Sequence, residues 1–311
     1  MTRAAMLLIG AATVHVLGMA LGAALADVRK PLPPGFVYLR DIDPTIVQDI
    51  RYATPFNFTR APVPGYGAAE CVLLREVALA LKDAQEELRP QNLGLKVYDC
   101  YRPQRAVHAF VEWVKKPDSK DDNRHYPRTQ RADLVKLGYI SAASSHSYGT
   151  AVDLTLIALP SERTRPARRN DYASCMAPKD EREPDESLDM GTGFDCFDAN
   201  SRNPGLLDSA DAKAQENAAA PPLEIQKDQR DRRLQLFTLM RNHGFKGIPT
   251  EWWHYQYAGV ERPLKPQDFV IPSAKSQRVR RSQRQKWARQ FCGANVTVGR
   301  KGGFFAGFPS A

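Results

Sequence analysis

Ser144-Ser145-His146-Ser147-Tyr148-Gly149-Thr150-Ala151-Val152-Asp153-Leu154-Thr155-Leu156-Ile157 decides how this chain is read. Its second half is apolar and partly β-branched, the composition of a strand that packs well in a sheet. Its first half is rich in Ser and ends at Gly149. Ala142 to Leu159 is therefore expected to form two short strands around Gly149. On one flat strand His146 and Asp153, an odd number of residues apart, would face opposite sides. A bend or bulge at Gly149 would bring both inward.

About a hundred residues later comes Glu251-Trp252-Trp253-His254-Tyr255. Glu251 and His254 would also diverge on an ideal strand, so a local twist is required here too. The aromatic residues around them can exclude water. A His and an Asp alone at such spacing are common, and an aromatic strand with one His is an ordinary core element. Together the two stretches supply more. Two imidazoles and one carboxylate make a three-ligand set that leaves a fourth tetrahedral position on Zn²⁺ open for water. Glu251, beside the last ligand, is placed to take a proton from that water. Structural zinc sites are closed by four ligands and rich in Cys, so this pattern reads as a catalytic site holding one Zn²⁺.

Outward from these motifs the elements are mixed. Residues 31–69 carry seven prolines and imply loops, with Tyr38-Leu39-Arg40 and Ile50-Arg51-Tyr52 as short strands. Val72, Leu73, Val77, Leu79, Ala80, Leu81 and Ala84 mark the apolar face of a helix that ends at Asn92-Leu93-Gly94. Leu95 to Asp99 alternates like a strand. Gln104 to Val114 returns to helix, with Pro103 at its first turn. Gln229 to His243 is an amphipathic helix closed by Gly244, and Phe245 to Tyr257 is a strand. The fold class expected is α+β, with a small, mainly antiparallel sheet carrying the metal site between flanking helices. Residues 160–188 are dense in charge and Pro with little to bury, and read as a mobile insertion. Arg102, in Tyr101-Arg102-Pro103 after a strand, could stabilise a developing oxyanion with paired N–H donors.

At 311 residues the chain can bury a sizeable core. Its net charge of +9 suggests nucleic acid until its distribution is seen. Lys275 to Lys301 holds nine basic residues and no acid follows Asp268, so the tail accounts for the whole excess. Nucleic acid is not an expected partner. The tail, residues 273–311, is read as disordered, either solvated or in weak contact with anionic membrane or wall polymer. At the other end Arg3, the apolar run Ala4–Leu21 and Ala24-Leu25-Ala26 read as an export signal spanning residues 1–26, with an uncleaved anchor as the alternative. The body is then 27–272, in an exported, periplasmic protein. Five cysteines in such a protein can pair. Cys71 with Cys100 and Cys175 with Cys196 is one of the three pairings open to those four, leaving Cys292.

The order Tyr-Arg-Pro, Ser-x-His-x-x-Gly-x-Ala-x-Asp and Glu-x-x-His resembles the zinc D-alanyl-D-alanine dipeptidases, which include the vancomycin-resistance enzymes. Further pieces extend the resemblance: Arg51-Tyr52-Ala53-Thr54, Asn57-Phe58-Thr59 and Met190-Gly191-Thr192-Gly193-Phe194-Asp195. It implies hydrolysis of a D,D-dipeptide, with His146, Asp153 and His254 as zinc ligands, Glu251 as general base and Arg102 beside the tetrahedral intermediate. It further implies that Tyr52, Ser144 and Asp195 hold the substrate's free ammonium. The rivals are a peptidoglycan carboxypeptidase or endopeptidase with the same metal set, and a non-catalytic wall-binding protein. The cysteines, the insertion and the tail are departures from the pattern.

Overall fold

The strand Ala151–Ala158 is buried along almost its whole length, as its near-continuous apolar run requires of a strand covered on both faces. It is β5, the centre of a five-stranded sheet ordered β2-β4-β5-β7-β6. The others are β2 (Val47–Gln48), β4 (Leu93–Asp99), β6 (Phe245–Ile248) and β7 (Glu251–Tyr257). Only the β2–β4 pair is parallel; β4–β5, β5–β7 and β6–β7 run antiparallel. A separate two-stranded sheet joins β1 (Phe36–Tyr38) to β3 (Val72–Leu74). Among the described residues the α-helices are α1 (Leu39–Ile42), α2 (Arg75–Leu88), α3 (Gln104–Val114) and α4 (Lys227–Asn242). The architecture is the α+β arrangement expected. The computed structural model describes residues 31–118, 123–161, 173–206, 223–260 and 265–272. The apolar N-terminal segment and the basic tail lie outside these residues.

In α2, Val77, Ala78, Leu81, Ala84, Gln85 and Leu88 are buried, the i, i+3, i+4, i+7 spacing of a helix face against a core. Truncating Leu81, fully buried here, would cost about 2–5 kcal/mol. Gln85 is the polar member of that face, and its Oε1 accepts from the Leu95 N–H at 2.7 Å, which fixes the helix to β4. Leu79 points outward at 39% exposure. Helix α4 starts in a capping box between Gln226 and Gln229 and is followed by Gly244 in the left-handed region at φ +83°. Its buried Arg233 donates to the carbonyls of Met190, Asn200 and Arg202, tying the loop that carries Asp195 to the body.

Five local expectations are corrected. Val72–Leu74 is strand β3, because its backbone pairs with β1, and the helix begins only at Arg75. Tyr38 ends β1 and Leu39–Ile42 turns into α1; Arg51–Ala53 is a 3₁₀ turn. In place of a first strand before Gly149, Ser145–Tyr148 forms a 3₁₀ turn. Phe245 to Tyr257 is a hairpin of two strands. The insertion also differs from expectation where it is described. Residues 173–188 pack onto the sheet through charge pairs: Asp185 accepts from the fully buried Lys96 at 2.5 Å and from Tyr98 at 2.6 Å, while Glu183 pairs with Arg51. Residues 162–172 lie outside the described residues.

Both cysteine couples are disulfides, Cys71–Cys100 and Cys175–Cys196. The first joins the residue before β3 to the residue after β4; the second joins the insertion to the residue after Asp195.

Candidate metal centre and its cleft

Three strands set one row of side chains. In the register of the sheet Asp99 on β4 stands opposite Asp153 on β5, and Asp153 stands opposite His254 on β7. A register shift between Val97 and Asp99 brings Asp99 into the row. A second shift, where Ile248 meets Glu251, re-aims the start of β7, so Glu251 and His254 border the same cleft despite their odd spacing. His146 arrives from outside the sheet. Its 3₁₀ turn is closed by Gly149 at φ +70°, and a Cβ there would lie 2.4 Å from Cε1 of Phe36. Only glycine fits that turn, and the turn delivers His146 over β5.

The result is a triangle of donor atoms. His146 Nε2 is 3.1 Å from His254 Nδ1 and 3.3 Å from Asp153 Oδ1, and His254 Nδ1 is 3.0 Å from Asp153 Oδ1. Donors about 2.0–2.1 Å from a tetrahedral Zn²⁺ stand about 3.3 Å apart along the edges, so the observed spacing fits a shared small cation. His146 Nδ1 donates to the Cys100 carbonyl at 2.7 Å, since a carbonyl can only accept; that turns Nε2 towards the triangle. Among the described residues His146, Asp153 and His254 are a group that can hold a metal ion.

Electrostatics agree with the donor chemistry. Burial alone opposes the charge on Asp153, but His146 and His254 outweigh it and hold the carboxyl far below the usual carboxylate range. Burial lowers His254, Asp153 opposing, and a neutral imidazole is the ligating form. Glu251 is pushed well up by burial, then by the Asp153 and Asp195 charges; Arg102 and a hydrogen bond from Trp253 pull it back. A carboxyl so placed takes up a proton readily.

Arg102 sits between aromatic rings, its guanidinium carbon 5.1 Å from the centroids of both Tyr52 and Phe110. Its Nε and Nη2 both reach Asp99 Oδ2 at 2.9 Å, and Nη2 lies 3.4 Å from Asp153 Oδ2. Across the cleft the Tyr52 hydroxyl is 3.1 and 2.9 Å from the two Asp195 oxygens. Burial first, then Asp153, raise Asp195 well above its ordinary value. All eight residues singled out in the sequence (Tyr52, Arg102, Ser144, His146, Asp153, Asp195, Glu251 and His254) line one cleft of about 150 Å³.

The profile of a family described as D-ala-D-ala dipeptidase, peptidase M15, matches residues 33–163 and 175–271. The chain belongs to this family. The D-alanyl-D-alanine dipeptidase of Enterococcus faecium is 32% identical over 238 residues, covering 76% of this chain and 98% of that protein. That of Streptomyces coelicolor is 33% identical over 237 residues with the same coverage. That of Escherichia coli is 28% identical over 220 residues, 71% of this chain and 83% of that protein. The match to the dipeptidase family breaks between 163 and 175, inside the polar insertion.

One residue that reading the sequence did not single out, Asp99, supports this dipeptidase-family site. Asp99 is fully buried, accepts from Tyr66 OH at 2.6 Å as well as from Arg102, and stands 3.5 Å from His146 Nδ1. It therefore aims the guanidinium and borders the His146 ring at once. The signal was present: an acid ending an apolar strand three residues before an arginine needs a buried partner.

Proposed function

We propose that this chain is a zinc D,D-dipeptidase that hydrolyses D-alanyl-D-alanine, exported to the periplasm and serving cell-wall metabolism. The observation that carries the reading is the convergence of three donor atoms at tetrahedral-edge spacing in one cleft with Glu251, Arg102 and the Tyr52–Asp195 pair. His146, Asp153 and His254 would hold one Zn²⁺ through Nε2, Oδ1 and Nδ1. The ion, when bound, supplies an acidified water and a polarised scissile carbonyl.

Glu251 takes the proton of the attacking water and passes it to the leaving amine as the C–N bond breaks, so one residue serves both steps. Its dry surroundings favour the protonated form that must donate in the second step. Arg102, held rigid by Asp99 and the two rings, offers N–H donors to the oxyanion that develops on the carbonyl. Asp195, with Tyr52 and Ser144, receives the free ammonium of the substrate. A buried carboxylate at the end of a cleft left unpaired by a blocked N-terminus penalises acylated or longer peptides.

The test is hydrolysis by the purified protein of D-Ala-D-Ala, N-acetyl-D-Ala-D-Ala, L-Ala-L-Ala and a muropeptide ending in D-Ala-D-Ala, each with and without chelator. The expected result is chelator-sensitive cleavage of the free D,D-dipeptide alone. Cleavage of only the muropeptide would make the protein a carboxypeptidase, and turnover untouched by full metal removal would refute the zinc mechanism.

A further inference from the structure

Asp195 has φ +55°, a left-handed conformation that Asp tolerates without preferring. The backbone must hold it there for the carboxylate to face Tyr52. Two segments from elsewhere in the chain do so. His125 Nδ1 lies 3.2 Å from the Asp195 carbonyl oxygen; a carbonyl only accepts, so Nδ1 carries the proton and donates. The Phe197 N–H donates back to the His125 carbonyl at 2.6 Å. His125 thus brackets residues 195–197 with both side chain and backbone. Cys196, next to Asp195, is bonded to Cys175. Cys175 in turn donates its N–H to the Arg124 carbonyl at 2.9 Å and accepts from the Gly193 N–H at 2.8 Å. The bonds close a ring around Asp195 through 124–125, 175 and 193–197. None of His125, Cys175 and Cys196 is among the residues lining the cleft. Burial keeps the His125 ring neutral, down to about 4, so its donor and its shape persist at neutral pH.

We infer that His125 and the Cys175–Cys196 disulfide are positioning residues for Asp195, setting how tightly the cleft grips a substrate's free ammonium without touching the substrate. The inference deepens the D,D-dipeptidase reading and rests on it. It assigns a task to a disulfide and a half-buried histidine that neither the metal nor the hydrolytic chemistry uses. The bracket acts on binding and not on the bond-breaking groups, so its loss should appear in KM and leave kcat in place.

The experiment compares wild type, His125→Phe, His125→Asn and the Cys175→Ser/Cys196→Ser double variant. For each, kcat and KM on D-Ala-D-Ala, the preference over N-acetyl-D-Ala-D-Ala and the bound zinc are measured. Loss of one well-placed hydrogen bond predicts that His125→Phe raises KM roughly tenfold. Its kcat should stay within about twofold, its zinc should remain bound, and its preference for the free ammonium should shrink. His125→Asn keeps an N–H near the position of Nδ1 and should restore KM. The double cysteine variant should shift KM in the same direction, and it carries the test should His125→Phe not fold. Equal behaviour of the Asn and Phe variants, or a fall in kcat at unchanged KM, overturns the inference while leaving the dipeptidase reading intact. A zinc-loaded wild type that cleaves no D,D-dipeptide overturns both.

Discussion

Replacing Gly149 by Ala should injure the fold and the metal site together, and a second glycine supplies the control. Gly149 and Gly138 both occupy the left-handed region, at φ +70° and +81°. A Cβ on Gly138 meets nothing within 4 Å, whereas one on Gly149 meets Phe36 Cε1 at 2.4 Å and the Leu74 nitrogen at 3.3 Å. Phe36 has little room to yield, edged by Tyr101 and Phe269 at 5.4 and 5.0 Å. The backbone term, about 1–2 kcal/mol, is common to both variants. Overpacking adds about 1–3 kcal/mol at Gly149 alone. Gly149→Ala should therefore lose about 2–5 kcal/mol and Gly138→Ala about 1–2, within a domain's usual reserve of about 5–15. Urea denaturation of the metal-free proteins reads the difference. The Gly149 N–H donates to the His146 carbonyl at 2.9 Å, and that carbonyl also accepts from Arg102 N–H at 3.2 Å, so strain there moves a ligand. Zinc affinity, measured by competition with a chromophoric chelator, should fall about 10- to 100-fold for Gly149→Ala and stay unchanged for Gly138→Ala. Matching losses in both variants, or unaltered zinc affinity in Gly149→Ala, would show that the Phe36 contact does not set the turn that carries His146.

Glu251→Gln should keep its zinc and lose turnover by about 10²- to 10⁴-fold; a metal assay beside a rate measurement checks it, and retained turnover assigns the proton transfer elsewhere. Asp99→Asn removes the charge that aims Arg102, so kcat should fall about 10- to 100-fold with KM little altered, short of the ~10²–10³ for losing an oxyanion donor outright. His125 titrates near 4 in the fold against 6.5 in its ordinary state. The unfolded chain then binds more protons between those values, and stability falls as pH drops through that window. From pH 7 to pH 5 this amounts to about 2 kcal/mol at 1.36 kcal/mol per unit. Urea midpoints of wild type and His125→Asn at the two pH values should differ in slope by that amount, and parallel curves would contradict it.

The site was more legible than the frame around it. His146, Asp153, Glu251 and His254 stand in short motifs whose chemistry survives any backbone path, so the sequence singles out residues that the fold brings into one cleft, while misjudging the turn that brings His146 in. Helix Gln104–Val114 was readable at both ends because Pro103 and the loss of apolar period after Val114 punctuate it. Val72–Leu74 was not, since three apolar residues fit a helix face as well as a buried strand. What made them a strand is β1, thirty-odd residues away and invisible to local pattern. The insertion misled for the opposite reason. Its charges look solvated until Lys96 and Arg51 appear beneath them, and one stretch of sequence does not display a partner's position. Asp99 escaped for the same cause, as its partners Tyr66 and Arg102 lie on either side of it in the chain but converge only in the fold.

Hydrolysis at this cleft depends on one small cation held by three side chains. Crystals grown with zinc, measured at and below the zinc absorption edge, test that without reference to any substrate. A single anomalous peak is expected about 2.0–2.2 Å from His146 Nε2, Asp153 Oδ1 and His254 Nδ1, with Glu251 nearby and unligated. A fully zinc-loaded protein whose peak lies on other residues, or whose three donors stand apart without one, would contradict it.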